Sequence, residues 1–469
     1  MKNLYPERYI VPFALFALFL TAVLARPLMP IDETRYMTVA WEMYLRQDWL
    51  APLTLNFQPY HHKPPLLFWM INMFWSVFGV NRWSATLPIV LGAAANIYLV
   101  RALAKNIFPQ MPEIPQRASL IMLGSMPFLI LNTIIMFDLM LSAFVLGFFL
   151  CMFRFLQTRR ILWMIATGLV LGFGVLTKGP VAYLYTLFPL FSAPLWLPEN
   201  IKVRPGPWLG FCLSVIIISA IPVLLWLIPI LQKSEGDFAF WLIWNQTAGR
   251  ITGNFNSAHS RPFYFYLPLL PVLFLPWILF PDFYKNIKTF KSSISNNYGL
   301  RFLMIWFIPV FIAFSLISGK QPHYMIPLLP ACIILTAWLL HSVPIKKILQ
   351  TCVAMVCFFI VGQSVAALVF LKRYDLNPVA SYVQAHPDHD WAFVKNYNGE
   401  IGFLARLKKP IENIEPQHMK KWFAGHPDGL AVIRFKKPEE VASYKAIMTM
   451  PYRGKNIGIF KWSSEGIHN

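Results

Sequence analysis

"TCVAMVCFFIVGQSVAALVF" (Thr351–Phe370) is a run of twenty residues without a charged side chain. A helix of that length spans about 30 Å, which matches the hydrocarbon core of a bilayer. "YIVPFALFALFLTAVLA" (Tyr9–Ala25) approaches the same length. The apolar residues are continuous rather than alternating, and a chain in lipid must satisfy its own backbone hydrogen bonds. These runs therefore predict transmembrane helices rather than a barrel. The first run lacks a small-residue cleavage site before Pro30, which predicts a retained anchor.

The composition of the whole chain agrees with a membrane protein. Of its 469 residues, 57% are hydrophobic and 13% are charged, whereas about one quarter of the residues of a soluble domain are charged. The formal net charge is +20. Many of the lysines and arginines lie in short loops between apolar runs, where they orient helices and meet anionic head groups. We therefore expect membrane lipids, and no nucleic acid, as partners. The five cysteines lie in apolar runs, without metal or redox spacing.

The apolar runs predict an all-α polytopic membrane protein with eleven crossings, within a range of about 11–13 transmembrane helices. The predicted helices lie near residues 9–29, 82–104, 117–133, 138–157, 161–176, 180–197, 207–231, 264–284, 300–318, 323–341 and 348–371. The short segment 66–79 is interpreted as an interfacial or re-entrant helix. With the N-terminus in the cytoplasm, alternate connections carry the clusters of Lys and Arg, as the positive-inside rule requires. A crossing at 66–79 would break this charge bias.

The other face of the membrane receives the remaining connections. They are the loop 30–65, the junctions at Asp138 and Lys178, the loop 232–263, the stretch "SGKQPHY" (Ser318–Tyr324) and everything after about residue 372. Every motif with chemically useful side chains falls on this outer face. The loops 30–65 and 232–263 are therefore expected to form the functional site.

The last hundred residues have more charge and shorter apolar runs than the rest of the chain. "WAFVKN", "GLAVIRF" and "NIGIFKW" are typical of strands, and they alternate with helical stretches at Pro378–His386, Pro416–Ala424 and Pro438–Ile447. We therefore divide the chain into a transmembrane domain, residues 1–371, and a small α/β domain outside the membrane, residues 372–469.

The first outer loop places two carboxylates, Asp32 and Glu33, at the start of a predicted amphipathic helix. Carboxylates at that position also suit helix capping and the helix dipole. The same face supplies further ionisable groups, namely Lys63, Asp138, Lys178, Arg250, His259, Arg261 and Lys320. A carboxylate pair that faces several cations at a membrane surface is typical of a base beside an anion site.

Two ionisable residues interrupt apolar sequence within the membrane region. Asp138 begins "DLMLSAFVLGFFLCMF", and Lys178 lies in "GVLTKGPVAYLY". Ionisable groups at membrane depth are costly unless they are partnered, which favours a functional role. As alternatives, Asp138 suits a helix N-cap and Lys178 suits snorkelling to the head groups.

"FQPYHHKPPLLFWM" (Phe57–Met70) places His61, His62 and Lys63 where the outer loop returns to the bilayer. The second outer loop adds Arg250 and Arg261, whose guanidinium forks suit phosphate oxygens but also suit lipid contact.

Six motifs carry a resemblance to a known family. "PIDETRY", "HHKPPLLFW", "FDLML", "GFGVLTKGP", "HSRPFYFYLP" and "GKQPHYMIPLLP" occur in this order along most of the membrane part. Together they resemble the bacterial 4-amino-4-deoxy-L-arabinose lipid A transferases, which stand with the protein mannosyltransferases among the GT-C membrane glycosyltransferases. The resemblance implies a helical bundle with an amphipathic first periplasmic loop and a small periplasmic C-terminal domain.

The resemblance also implies roles for individual residues. Asp32 is the candidate base, with Glu33 beside it as a further catalytic carboxylate. Asp138 is the partner of Asp32 in holding the acceptor or the sugar. Lys63 and Arg250 would hold the lipid phosphate, while Lys178 and Arg261 would line the same cation-rich site.

The same resemblance raises the question of a metal. Zinc-binding family members use a glutamate before the Lys-Pro pair and a histidine before the Pro-Phe-aromatic run. Here those positions are His62 and His259. Two imidazoles are able to ligate zinc or another divalent cation. Because a histidine replaces the carboxylate, the metal is either absent or differently held, and His62 also suits head-group contact.

The expected activity is transfer of one sugar, 4-amino-4-deoxy-L-arabinose or a similar one, from undecaprenyl phosphate to lipid A or another envelope acceptor. The reaction would invert the anomeric carbon at the periplasmic face of the bacterial inner membrane. One alternative is an enzyme that transfers a sugar from a polyprenyl phosphate to a protein hydroxyl, as the mannosyltransferases do. A flippase for lipid-linked sugars is a second alternative. It would require polar groups at the bilayer midplane and paired broken helices in two halves, which the sequence lacks.

Overall fold

The structure, a computed structural model, describes residues 7–198, 201, 203–233 and 260–463. Seven helices in this part of the chain are long and apolar enough to cross a membrane: Arg82–Ile107, Asp138–Thr158, Ile161–Lys178, Pro205–Lys233, Tyr298–Leu316, Pro322–Leu339 and Ile345–Val369. Shorter apolar helices cover Tyr9–Ala25, Leu66–Phe78, Val181–Phe191 and Phe263–Phe274. The prediction of a mostly helical, multi-pass membrane protein is confirmed.

The chain divides into two compact units. The first, here called the membrane unit, comprises Met1–Leu20, His61–Met70 and Thr86–Val361. The second, here called the sheet unit, comprises Thr21–Tyr60, Ile71–Ala85 and Gly362–Asn469. Most of the first outer loop therefore belongs to the same compact unit as the C-terminal residues.

Close helix packing in the membrane unit fixes the helix that carries Lys178. A Cβ added at Gly168 would lie 2.6 Å from the Ile218 side chain, and one at Gly172 would lie 2.5 Å from the Ser219 carbonyl oxygen. Ile161–Lys178 and Pro205–Lys233 thus approach each other through glycines, as small residues allow in membrane helices.

The predicted helix 264–284 is wrong. The chain forms three short 3-10 helices there, Phe263–Tyr266, Leu270–Phe274 and Trp277–Leu279, and only then an α-helix, Pro281–Ile294. The physical reason is the series of prolines within "FYFYLPLLPVLFLPWILFPDF". Each proline lacks the backbone N–H that a continuous α-helix needs and clashes with the preceding turn.

The predicted helix 117–133 is also interrupted. It consists of two helices, Ile114–Leu123 and Met126–Leu131, which meet at Gly124. A Cβ at Gly124 would lie 2.8 Å from the Trp277 ring and 2.9 Å from the Cα of Cys352. A residue without a side chain is required at this break because the neighbouring segments pack directly against it.

The sheet unit contains a five-stranded mixed sheet. In spatial order its strands are Glu412–Ile414, Trp391–Val394, Leu430–Phe435, Lys455–Trp462 and Tyr444–Tyr452. The first three run parallel to each other, and the last two add antiparallel pairing. Two short strands of the outer loop, Thr54–Leu55 and Gln58–Pro59, pair separately.

Two α-helices, Asn377–Ala385 and Met419–Gly425, accompany the sheet, together with the 3-10 helices Leu371–Tyr374, Pro416–His418 and Pro438–Val441. The predicted helical stretch Pro438–Ile447 is therefore wrong after its first turn, because the strand Tyr444–Tyr452 begins within it. This strand forms a hairpin with Lys455–Trp462 through Arg453 and Gly454, both with positive φ. Pairing with the neighbouring strand outweighs the local helix preference.

Candidate active site

A buried ion pair joins two helices of the membrane unit. Asp138 is the first residue of the helix Asp138–Thr158, and Lys178 is the last residue of Ile161–Lys178. The Lys178 Nζ lies 2.5 Å from the Asp138 Oδ1, and the two side chains are 6% and 2% exposed, respectively. The N-cap position is held by Phe137, without a side-chain cap. The ion pair therefore accounts for the positions of both side chains, in place of helix capping by Asp138 and snorkelling by Lys178.

The surroundings of Asp138 are cationic. The Lys178 ammonium lies over the Tyr324 ring, 4.7 Å from its centroid. Besides Lys178, the charges of His323 and Lys63 act on the Asp138 carboxylate. Among these four described groups, one carboxylate faces two lysines and a histidine, so together they carry a net positive charge when His323 is neutral and a larger one when it is protonated.

Lys63 enters this cluster from the end of the outer loop. Its Nζ lies 5.6 Å from the centroid of the Phe137 ring, next to Asp138 in sequence. Pro64 and Pro65 follow, and the helix Leu66–Phe78 begins immediately afterwards. The His61 and His62 rings lie 5.0 Å apart. The prolines restrict the backbone at this point and so limit where the Lys63 side chain can reach.

The stretch "GKQPHY" is held in place by hydrogen bonds from neighbouring segments. The Tyr185 hydroxyl donates to the Tyr324 carbonyl at 2.6 Å, and the Tyr266 hydroxyl donates to the Gln321 carbonyl at 3.1 Å. The buried Lys320 Nζ donates to the Arg261 carbonyl at 2.9 Å. These bonds position His323 and Tyr324, which the sequence reasoning did not single out although the motif contains both.

Arg261 lies beside the same stretch. Its backbone N–H donates to the Ser318 carbonyl at 3.1 Å, and its guanidinium lies 4.5 Å from the centroid of the Phe265 ring. Two other predicted site residues, Arg250 and His259, lie outside the described residues.

In the sheet unit, Asp32 and Glu33 have different surroundings. Both lie in the first turn of the helix Asp32–Arg46, here called the loop helix. The Asp32 side chain is 48% exposed and contacts Arg35. Glu33 is buried: it forms an ion pair with Arg26 and accepts a hydrogen bond from the Met29 backbone N–H at 2.8 Å. The Asp32 carboxylate is thus accessible to a proton donor, while the Glu33 carboxylate is bonded to Arg26 and to the Met29 backbone within the loop.

A third carboxylate holds the outer loop together. The Glu42 carboxylate accepts hydrogen bonds from the Thr54 hydroxyl at 2.6 Å and from the Asn56 and Phe57 backbone N–H groups at 2.7 and 2.9 Å. Burial raises the pKa of Glu42, although these three hydrogen bonds oppose the shift. The sequence reasoning did not identify Glu42 because its partners lie more than ten residues away in the chain.

The loop helix is attached to the C-terminal residues of its own unit. The Thr38 hydroxyl donates to the Gly399 carbonyl at 2.7 Å and accepts from the Phe403 backbone N–H at 2.9 Å. The Trp41 indole N–H donates to the Leu407 carbonyl at 2.8 Å. Trp75 stacks on Phe403 with ring centroids 5.4 Å apart. The helix that carries Asp32 is therefore fixed by the segment 399–407.

The described part of the chain contains no group of three His, Cys, Asp or Glu side chains that would suit a metal ion. Of the two predicted ligands, His62 has His61 as a neighbouring ring. A zinc site needs about four ligands, of which three or more come from the protein. The described residues alone do not fit such a site.

Comparison with known proteins gives a consistent result. The sequence model of the family described as dolichyl-phosphate-mannose-protein mannosyltransferase matches residues 62–226. An undecaprenyl phosphate-alpha-4-amino-4-deoxy-L-arabinose arabinosyl transferase from Photorhabdus laumondii is 29% identical over 66% of this chain and 55% of that protein. A protein of the same name from Pseudomonas aeruginosa is 29% identical over 65% of this chain and 54% of its own length. The chain matches little more than half the length of these curated relatives.

Solved structures show the same fold. One match is the crystal structure of ArnT from Cupriavidus metallidurans bound to undecaprenyl phosphate. The alignment covers 98% of this chain and 99% of the ArnT chain, with a TM-score of 0.76 at 17% sequence identity. The Archaeoglobus fulgidus oligosaccharyltransferase covers 92% of this chain and 70% of its own, with a TM-score of 0.56 at 13% identity. The resemblance to the ArnT-type membrane glycosyltransferases is confirmed.

Proposed function

We propose that this chain is an integral membrane glycosyltransferase of the GT-C type. It moves one sugar, 4-amino-4-deoxy-L-arabinose or a similar one, from undecaprenyl phosphate to lipid A or another envelope acceptor. The observation that carries the proposal is the buried Asp138 carboxylate with the basic groups of Lys178, Lys63 and His323 around it. Lys63, Asp138 and Lys178 fall within the residues 62–226 that match the mannosyltransferase model.

The charge of the cluster suits the donor. A sugar joined to a lipid through a phosphate diester carries one negative charge, and departure of the sugar adds a second. Cations held in a dry site stabilise the second charge more than the first, because their interaction with phosphate strengthens as the reaction proceeds. Asp138 neutralises Lys178 and keeps it in place, and we assign the Lys63 ammonium to the phosphate.

In the proposed reaction, an acceptor oxygen attacks the anomeric carbon of the sugar. The bond from that carbon to the acceptor oxygen forms, the bond to the phosphate oxygen breaks, and its electron pair stays on the phosphate. One displacement inverts the anomeric carbon. We assign the acceptor proton to the Asp32 carboxylate, which is exposed enough to receive it. Lys63 and Arg250 are assigned to the phosphate, with Lys178 and Arg261 as further cations.

Glu33 is assigned a positioning role for the neighbouring Asp32. Its ion pair with Arg26 anchors the first turn of the loop helix, while the Arg82 guanidinium donates to the Arg26 carbonyl and, at 3.0 Å, to the Ala22 carbonyl. A buried pair of this kind holds its segment in one arrangement, which positions the neighbouring carboxylate.

The orientation in the membrane is part of the proposal. With a cytoplasmic N-terminus, the functional residues and the domain 372–469 lie on the periplasmic side of the bacterial inner membrane. The distribution of Lys and Arg among the connections supports this orientation. A cysteine introduced at Lys437, which is exposed on the sheet unit, should react with a membrane-impermeant reagent in intact spheroplasts.

Transfer to a protein is the second candidate acceptor chemistry. The match to the protein mannosyltransferase model favours it. The deciding experiment is the mass of lipid A from cells with and without the gene, with an Asp32→Asn strain alongside. A sugar-sized loss in both strains supports lipid A as acceptor. Unchanged lipid A, together with transfer to protein by purified enzyme and a polyprenyl-phosphate sugar, supports the second candidate. Absence of any transfer by purified enzyme contradicts the proposed class.

A further inference from the structure

The sheet unit contains a cleft at one end of its five-stranded sheet. Its volume is about 610 Å³, within the range of about 300–1,000 Å³ that is usual for small-molecule sites. Polar and apolar groups both line it, among them Lys395, Met419, Lys436, Tyr452 and Lys455. All of the lining residues belong to the sheet unit, so this cleft is made of different residues from the Asp138 cluster.

The cleft lies where the strand order reverses. The strand Trp391–Val394 lies between the next two strands of the chain. Glu412–Ile414 pairs with one of its edges and Leu430–Phe435 with the other, and all three strands are parallel. Lys395 and Lys436 directly follow the first and third of these strands, and both line the cleft. In sheets of this kind, ligands bind beyond the carboxyl ends of the strands at such a reversal.

The hairpin turn closes the same end of the sheet. Phe435 is paired with Asn456, and Tyr452 with Lys455, so the turn residue Arg453 lies beside the ends of the parallel strands. Five cations line the cleft, namely Lys395, Arg434, Lys436, Arg453 and Lys455, together with a single carboxylate, Glu440.

Little of this positive charge is neutralised within the cleft. The Glu440 Oε1 accepts from the Lys437 backbone N–H at 3.0 Å and so caps its own turn. Arg434 forms an ion pair with Glu400 at 3.3 Å. Lys395, Lys436 and Lys455 are exposed and take part in none of the ion pairs found among the described residues. An excess of cations in a concave site attracts anions.

The floor of the cleft is held in place without a ligand. The Arg434 guanidinium donates to the Lys395 carbonyl and, at 3.0 Å, to the Asn396 carbonyl, which fixes the loop after the first strand. The Tyr452 hydroxyl is buried and has the Arg453 side chain as a polar neighbour, but it lacks a hydrogen-bond partner of normal geometry among the described residues. A buried hydroxyl in that state is ready to bond to a ligand.

We propose that this cleft binds the phosphate group of a phosphorylated sugar, with Lys395, Arg453 and Lys455 as its cationic contacts and the Tyr452 hydroxyl as a polar contact. The apolar part of the lining, which includes Met419 and Phe435, accommodates the sugar ring. The phosphorylated sugar is either the head group of a glycolipid or a soluble sugar phosphate. The site does not depend on the proposed transfer reaction.

The test uses the full-length protein, purified in detergent, and native mass spectrometry to measure bound ligand. The probes are lipid A, glucosamine 6-phosphate and unphosphorylated glucosamine. The variant is Lys395→Asn with Arg453→Asn, since asparagine tolerates the positive φ that both residues have. The control is Lys408→Gln with Lys409→Gln, which removes the same charge at exposed positions outside the cleft.

We expect the cleft variant to weaken binding of a phosphorylated probe at least tenfold, while the control stays within twofold of wild type. Binding of lipid A alone identifies a glycolipid head group, and equal binding of glucosamine 6-phosphate identifies a soluble ligand. The proposal is overturned if neither phosphorylated probe binds, if glucosamine binds equally well, or if both variants lose binding to the same extent. Lys455→Gln replaces the double variant if the latter does not fold.

Discussion

The Asp138 carboxylate and the Lys178 ammonium lie 2.5 Å apart at the adjoining ends of two helices, shielded from solvent. Removal of one partner leaves an uncompensated buried charge, whereas removal of both does not. The pair therefore offers a way to separate its structural role from its chemical one.

We expect Lys178→Met to lower the free energy of unfolding by about 3–5 kcal/mol. Asp138→Asn combined with Lys178→Met should recover most of the melting temperature, because no unpaired charge remains, but not the transfer activity. Thermal unfolding and turnover of purified protein test this. Wild-type turnover by the double variant would show that the pair only supports the fold.

Lys63→Ala should lower turnover by about 10²–10³-fold, the usual effect of removing one group that stabilises developing charge. The melting temperature should change much less than turnover, because the Lys63 side chain rests over the Phe137 ring and its loss leaves the buried Asp138–Lys178 pair intact. Turnover with a polyprenyl-phosphate sugar is the measurement. Lys346→Ala, at an exposed lysine in the first turn of the helix Ile345–Val369, is the matched control. Unchanged turnover in folded Lys63→Ala would remove Lys63 from the phosphate site.

Asp32 and Glu33 should respond differently to substitution. Asp32→Asn should lower turnover by about 10²–10⁴-fold, as loss of a general base does, without a change in stability. Glu33→Ala should lower the free energy of unfolding by about 3–5 kcal/mol, since it removes the carboxylate that pairs with the buried Arg26 guanidinium. Melting temperatures and turnover are compared in parallel, with Asp48→Asn in the same loop as control. Full activity of Asp32→Asn would contradict its role as base.

Thr38→Val should loosen the loop helix. The substitution leaves the Gly399 carbonyl and the Phe403 N–H without their partner, a loss of about 1–3 kcal/mol for each buried group. Hydrogen exchange in Asp32–Arg46 should accelerate, and turnover should fall because Asp32 loses its fixed position. Thr38→Ser keeps both hydrogen bonds and should behave as wild type. Equal exchange rates in the Val and Ser variants would refute the attachment.

The stability of the sheet should depend on pH through Glu400. Burial raises the pKa of Glu400, against the opposing hydrogen bond from the Asn398 N–H and the charge of Arg434. The folded state therefore holds the proton more tightly than the unfolded state. The stabilisation is present below the ordinary pKa of glutamate and is lost as the pH rises through the raised value.

Hydrogen exchange in the strands Trp391–Val394 and Leu430–Phe435 measures this effect in the intact protein. Exchange corrected for its intrinsic pH dependence should show protection that falls as the pH rises above the ordinary pKa of glutamate, about 4.3. Glu400→Gln should flatten the curve of protection against pH. A contribution of the same sign should remain from Glu42, because burial also raises the pKa of Glu42. A pH profile identical to wild type would exclude Glu400 as its source.

Much of the helical architecture was predictable because lipid leaves few choices for an apolar run. The errors have a local physical cause. At 264–284 the apolar composition predicted a crossing, while the prolines in the same segment exclude a continuous helix. At 438–447 the local preference predicted a helix, and strand pairing with Lys455–Trp462 prevailed. The stability of a strand depends on its partner, so the local helix preference of this segment did not decide its structure.

The sequence was enough to predict which residues form the candidate site, but only in part which of them contact each other. The interruption of apolar sequence identified Asp138 and Lys178, but their contact depends on how two helices end side by side. Asp32 and Glu33 are neighbours in sequence with the same chemistry, and only the Arg26 ion pair separates their environments. His323 was missed because a single histidine in a loop carries no pattern of its own.

The hydrogen bond from Thr38 to Gly399 joins residues 361 positions apart. A ribosome that adds about 5–20 residues per second needs about 20–70 s to bridge that interval. The loop helix thus leaves the ribosome long before its anchoring segment exists, and its fixed position is reached only when synthesis is almost complete. A premature stop codon shortly before 399 would spare all seven long apolar helices yet leave the helix of Asp32 without its anchor.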